Sequence, residues 1–125
     1  MAGSKGSKYY DTFLHYTVWL ENRSTGRVVD EQLFRLLKAV EESGSLTSAA
    51  DSLDLSYRKA WGDLKKASEL LGFPLVETTR GGKEGGHTRL TTDGRELVQA
   101  MEELREDITL AIHRVTKKFF HKINH

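Results

Sequence analysis

The 125-residue chain predicts a mainly α fold with a small β component. Two observations carry this. Apolar residues recur at helical spacing from Leu33 to Val40 and again from Ala60 to Leu71, with a short alanine-rich segment between them. Two β-rich stretches, "LVETT" and "HTRLT", then flank a loop holding Gly81, Gly82, Gly85 and Gly86. Three helices followed by a hairpin is the order of a winged helix-turn-helix domain. The expected organisation is a flexible tail over 1–10, the winged domain over 11–91, and a long C-terminal helix over 92–125.

Each element has a local reason. "MAGSKGSK" lacks the apolar core of a signal peptide and reads as a tail. "TFLHYTVWLENRSTGRVV" reads as an N-terminal β-hairpin turning at "NRSTG". Both faces of its first strand, from Phe13 to Leu20, are largely apolar, so both are expected to be covered. Asp30 caps the first helix, Leu33, Phe34, Leu36, Leu37 and Val40 form its stripe, and Gly44 ends it. "SLTSAADSL" forms a short second helix with Ala49, Ala50 and Leu53 inward. Ser56 caps the third, where Ala60, Trp61, Leu64, Ala67 and Leu71 are expected to face the core. Gly72 and Pro74 stop it. The last helix starts near Thr91 or Thr92 and reaches about Phe120.

Ala49 to Leu64 carries the helix-turn-helix spacing. Two steeply crossing helices need a small residue at closest approach, and Ala50 supplies it. Leu53 and Leu55 bracket the turn. The left-handed turn residue, commonly glycine, is expected at Asp54, since aspartate tolerates that region better than most residues. The outward positions of the third helix include Ser56, Tyr57, Arg58, Lys59, Gly62, Lys65 and Lys66. Arginine and lysine pair with guanine edges in the major groove, and hydroxyls hold phosphates. With Ser45 and Thr47 at the opening of the preceding helix, these are the candidate DNA-binding residues on recognition helix 56–71. The competing reading is a helix pair with merely solvated lysines. The hairpin that follows tips the balance towards DNA.

The run "GSLTSAADSLDLSYRKAWGDLKKASELLGFPLVETTRGGKEGGHTRLTTDGREL" resembles the N-terminal DNA-binding domain of the ModE family of molybdate-responsive regulators. More distantly it is similar to LysR-type winged helices. "SGSLTSAA", "LSYRKAWGDL" and the multi-glycine wing carry the resemblance, which covers about Val18 to Glu106. It implies sequence-specific double-stranded DNA binding in a transcription regulator, and a homodimer joined through the long helix. Such regulators carry molybdate-binding domains after the winged helix. The chain ends at His125 without them, so molybdate sensing is not carried over, no cofactor is expected, and a separate effector-binding protein is left open.

The glycine loop does not match a phosphate-binding P-loop, which needs Gly-Lys-Ser/Thr opening a helix. Lys83 is followed by Glu84, and the segment feeds a strand. As a wing over 80–88, glycines give cheap positive φ angles and let backbone N–H groups approach the phosphate backbone or minor groove. Arg80, Lys83, His87 and Arg89 supply its cations.

In the last helix Leu97, Met101, Leu104, Ile108, Ala111, Val115 and Phe119 recur at spacings of four and three, the seam of a coiled-coil dimer. A helix folded back on its own domain is the alternative. His121 and His125 invite a metal reading, but no cysteine or carboxylate joins them. A frayed basic terminus is the preferred reading, and no metal site is assigned.

The remaining composition narrows the function class. Net charge is +1, but Ser56 to Arg95 holds eight Lys/Arg against five Asp/Glu, a balance of +3, with 11 against 13 elsewhere. The basic excess thus falls on the motif. There is no cysteine and no apolar run of the roughly 20 residues a membrane span needs. A soluble cytoplasmic protein without membrane partners is expected. No nucleophile, base and orienting group can be grouped from spacing, so an enzyme is not expected. The main alternative is a winged helix used as a protein-interaction module.

Overall fold

The structure, a computed structural model, describes residues 8–79 and 87–124. It divides into two units, Val18–Met101, and Met1–Thr17 with Glu102–His125. The Val18–Met101 unit is the winged unit.

The Val18–Met101 unit begins with a hairpin, β1 (Leu20–Asn22) and β2 (Gly26–Val29), paired antiparallel. The strand expected from Phe13 is much shorter. β2 offers four residues, and after a register shift between Leu20 and Glu21 the ladder closes at Leu20↔Val29, the last residue of β2. Phe13 to Trp19 are therefore left outside β1, and Phe13, Leu14 and Tyr16 are exposed rather than covered. At the turn, the Ser24 amide donates to Asn22 Oδ1 at 2.9 Å.

Three helices follow: α1 (Glu31–Ser43), α2 (Leu46–Ser52) and α3 (Tyr57–Leu71). Each starts on a side-chain cap, the first and third at the residues the sequence predicts. Asp30 accepts from the Leu33 amide, Ser45 from Ser48 and Ser56 from Lys59, each cap contributing about 1 kcal/mol. Gly44 and Gly72 close α1 and α3 in the left-handed conformation. Between α2 and α3 the amides of Leu53 and Leu55 return to the Ala50 carbonyl and that of Asp54 to Asp51. Asp54 itself takes φ +56°, the left-handed position expected of it.

The core gathers Val29, Leu36, Leu37, Val40, Ala49, Ala50, Ala60 and Leu64, all within about one part in a hundred of full burial. The alanines at the α2–α3 crossing let the two backbones approach. One inward assignment fails. Trp61 is 43% exposed, because Ala60, Leu64 and Ala67 already complete the buried stripe and Trp61 lies one position off it.

β3 (Val76–Thr79) and β4 (His87–Leu90) pair from Val76↔Leu90 to Thr79↔His87. The Thr88 amide donates to the Gly44 carbonyl at 3.0 Å, fastening this hairpin to the end of α1. α4 (Thr92–Ile123) starts at a clasp on the chain before β3. The Thr91 amide donates to the Leu75 carbonyl at 3.0 Å, and the Thr91 hydroxyl donates to the Pro74 carbonyl at 2.7 Å while accepting from the Gly94 amide at 3.0 Å.

In the other unit, Phe120 and Thr116 of α4 are buried, and the Tyr9 ring meets Phe120 edge-on at 6.4 Å. Within the segment expected to be a tail, Lys8 and Tyr9 form a turn, with the Thr12 amide donating to the Tyr9 carbonyl. The Thr116 hydroxyl has no hydrogen-bond partner among the described residues.

The predicted seam divides along α4. Met101 is buried in the winged unit's core and Leu97 packs against that core. Leu104, Ala111, Val115 and Phe119 are exposed, and Ile108 is half-buried. The alternating spacing of four and three runs from Leu97 to Val115, but the first turns of α4 spend their apolar residues on their own domain. Among the described residues, no helix is long and apolar enough to cross a membrane.

Candidate nucleic-acid interface

The candidate surface is the outer face of α3, held out by the buried stripe on its inner face. Tyr57, Arg58, Lys59, Lys65 and Lys66 are all exposed there, with Ser56 at the helix start. The Ser56 hydroxyl oxygen accepts from the Lys59 amide at 3.0 Å, which leaves its proton available to a phosphate. Ser45 is occupied in the same way at the start of α2, and Thr47 is exposed beside it.

The cations differ in availability. Lys59 pairs with Asp63 one turn on, Nζ to Oδ1 at 3.0 Å. Arg89 pairs across the hairpin with Glu77 at 2.8 Å. Both pairs are exposed, so each is worth less than about 1 kcal/mol and is readily exchanged for a phosphate. Arg58, Lys65 and Lys66 are exposed and have no ion-pair partner among the described residues. His87 opens β4 and is exposed. Arg80 and Lys83, with the rest of the tip over 80–86, lie outside the described residues.

Two features escaped the sequence reading. Arg27 on β2 stacks over the Trp19 ring at 4.0 Å, while Trp19 Nε1 donates to Glu21. Arg27, Lys59 and Lys66 also line a hollow of about 220 Å³ between β2, the start of α1 and α3, together with Asp30 and Asp63. The hairpin thus brings a further cation beside the recognition helix, which only the pairing of β2 against α3 could reveal. The second is Trp61, which stands exposed one position off the buried stripe of Ala60, Leu64 and Ala67.

Among the described residues no group of three or more His, Asp or Glu side chains stands ready for a metal. His121 is exposed, and His125 lies outside the described residues.

The comparisons agree with this geometry. The family model for the bacterial regulatory helix-turn-helix protein, lysR family, matches residues 32–95, from α1 to the first turn of α4. The molybdenum transport protein ModE of Herbaspirillum seropedicae is 40% identical over 86 residues, covering 69% of this chain and 32% of that protein. The transcriptional regulator ModE of Haemophilus influenzae is 36% identical over 85 residues, covering 68% of this chain and 33% of that protein. The chain therefore spans about a third of the length of these relatives. In fold, it is similar to the BenM DNA-binding domain in its complex with benA site 1 DNA, with TM-score 0.53 and 24% identity over 69% of this chain and 91% of that one. With α1 to α3, the β3–β4 hairpin and the start of α4 all inside the matched segment, the chain belongs to the LysR family of bacterial regulatory helix-turn-helix proteins.

Proposed function

We propose that the chain is a sequence-specific double-stranded DNA-binding transcriptional regulator. Recognition helix 56–71 enters the major groove, and the glycine-rich wing over 80–88 lies on the backbone or in the minor groove. The observation that carries this is the unpaired basic face of α3: Arg58, Lys65 and Lys66 stand exposed on the second helix of a helix-turn-helix. A guanidinium there has the fork geometry for a guanine edge, and the two lysines suit phosphates. The names of the relatives, regulators of the ModE kind, and a fold shared with a DNA-bound domain support the same reading.

Two copies pair through the outer part of α4. Leu104, Ala111, Val115 and Phe119 form one exposed apolar stripe over about four helical turns, more than a single chain leaves in water without cost. A two-fold dimer presents two recognition helices. Its operator is then partly palindromic, with half-sites about one duplex turn apart or a multiple of it.

The test is selection of bound duplexes from a random pool, followed by salt titration of the winner. A preferred, partly palindromic sequence with affinity falling steeply in salt is expected. Absence of binding to any duplex at low salt overturns the reading in favour of a protein-interaction module.

A further inference from the structure

Trp61 is an exposed aromatic that the basic face alone does not explain. It stands on the second turn of α3, 43% exposed, one turn after Tyr57, which is 54% exposed. Its position is not loose: Ala60 and Leu64 on the same helix are buried at 0% and 1%, so the backbone that carries the indole is locked into the core. Helical spacing places Arg58 one turn before Trp61 and Lys65 one turn after it, both exposed. The result is an apolar ring framed by cations.

That frame selects the occupant. An apolar protein pocket closing over Trp61 would have to desolvate Arg58 and Lys65 as well. Duplex DNA does not pose this conflict. Phosphates line both sides of the major groove, while its floor offers one apolar group, the C5-methyl of thymine. The indole N–H is a donor only, and the groove edge beside that methyl presents acceptors.

We propose that Trp61 is a specificity-determining residue that packs on a thymine methyl in the major groove, giving the protein a preference for thymine at one position. This rests on the DNA-binding reading of α3. Arg58 would then supply polar readout and Trp61 apolar readout from adjacent positions of one helix.

The test uses the tightest duplex from the random pool, synthesised with thymine and again with single thymines replaced by deoxyuracil, which removes only the methyl. The unmodified protein is expected to lose affinity about fourfold at one thymine position, the effect of withdrawing one methyl-sized apolar contact. Trp61→Ala should bind both duplexes equally, with its salt dependence unchanged. Trp61→Phe should keep part of the preference. Equal affinity of the unmodified protein for every thymine and uracil duplex overturns the assignment, as does a methyl preference that survives Trp61→Ala. A second measurement guards against a fold defect. In the Trp19→Phe chain, Trp61 is the remaining one of two tryptophans, and its acrylamide quenching should fall when duplex is added. Shielding already present without DNA places protein over Trp61 and overturns the proposal. Failure to bind any duplex overturns the DNA-binding reading itself, a result distinct from binding without methyl sensitivity.

Discussion

Gly62 and Gly94 both lie inside helices, and helix propensity alone assigns alanine the same gain at each, about 1 kcal/mol. The structure separates them. A Cβ on Gly62 meets nothing within 4 Å. A Cβ on Gly94 collides with the Leu75 carbonyl oxygen, with the carbonyl carbon at 3.1 Å and Thr91 Oγ1 at 3.3 Å. That oxygen is backbone, on a residue with 0% exposure, and no rotamer moves it aside. Relief requires the start of α4 to draw away, straining the Thr91 amide bond to Leu75 and the Thr91 hydroxyl bond to Pro74. Overpacking of this kind costs about 1–3 kcal/mol, and a weakened hydrogen bond adds about 1 kcal/mol. Against the propensity gain, Gly94→Ala should destabilise by about 2 kcal/mol. Gly62→Ala should stabilise by about 0.5–1 kcal/mol. For a chain of this size each kcal/mol moves Tm by about 4 °C. Thermal and urea unfolding followed by helical ellipticity should therefore show Gly94→Ala melting about 8 °C lower and Gly62→Ala about 3 °C higher. A Gly94→Ala variant as stable as the parent would refute the close approach of α4 to Leu75.

Four further outcomes are expected. Arg58→Ala should lose about 1–3 kcal/mol on the selected duplex and relax preference at one base pair; equal loss on random DNA in a competition assay would make Arg58 a phosphate contact only. Replacing Arg80 and Lys83 together by alanine should weaken binding to all sequences and lower the slope of log affinity against log salt by about 2; an unchanged slope would take the wing off the backbone. Leu104→Glu with Val115→Glu, both at exposed positions, should leave the fold intact but give monomers in sedimentation and weak operator binding. An unmodified chain that sediments at 14 kDa and binds DNA singly would rule the dimer out. Asp54→Val should destabilise by about 1–2 kcal/mol, because a β-branched residue resists φ +56°, while Asp54→Gly should be tolerated, as urea midpoints would show.

Local chemistry made the helical part legible in the residues themselves. Asp30 and Ser56 each announce a helix start, because their side chains accept from amides three positions on, and Gly44 and Gly72 announce two ends, because glycine enters the left-handed region without a Cβ penalty. The left-handed turn at Asp54 follows from the same short-range logic. The order of elements, and hence the winged helix fold, could be read from such signals in series. The outward set Arg58, Lys59, Lys65 and Lys66 was equally legible, since helical phase alone turns it away from Ala60 and Leu64.

Whatever depended on a partner distant in sequence had to wait for the tertiary structure. The apolar run from Phe13 to Trp19 has the composition of a strand, but pairing needs a neighbour, and β2 ends opposite Leu20. The seam of α4 has one periodicity, yet Met101 is claimed by the core while Leu104 is left outside, because periodicity records a face and not what covers it. Which cations are already engaged, Lys59 by Asp63 and Arg89 by Glu77, depends on rotamers and strand register. Trp61 shows the same limit at its sharpest. A tryptophan beside an inward alanine reads as core by composition, and one position of helical rotation, fixed by packing of the whole helix, turns it out to the surface.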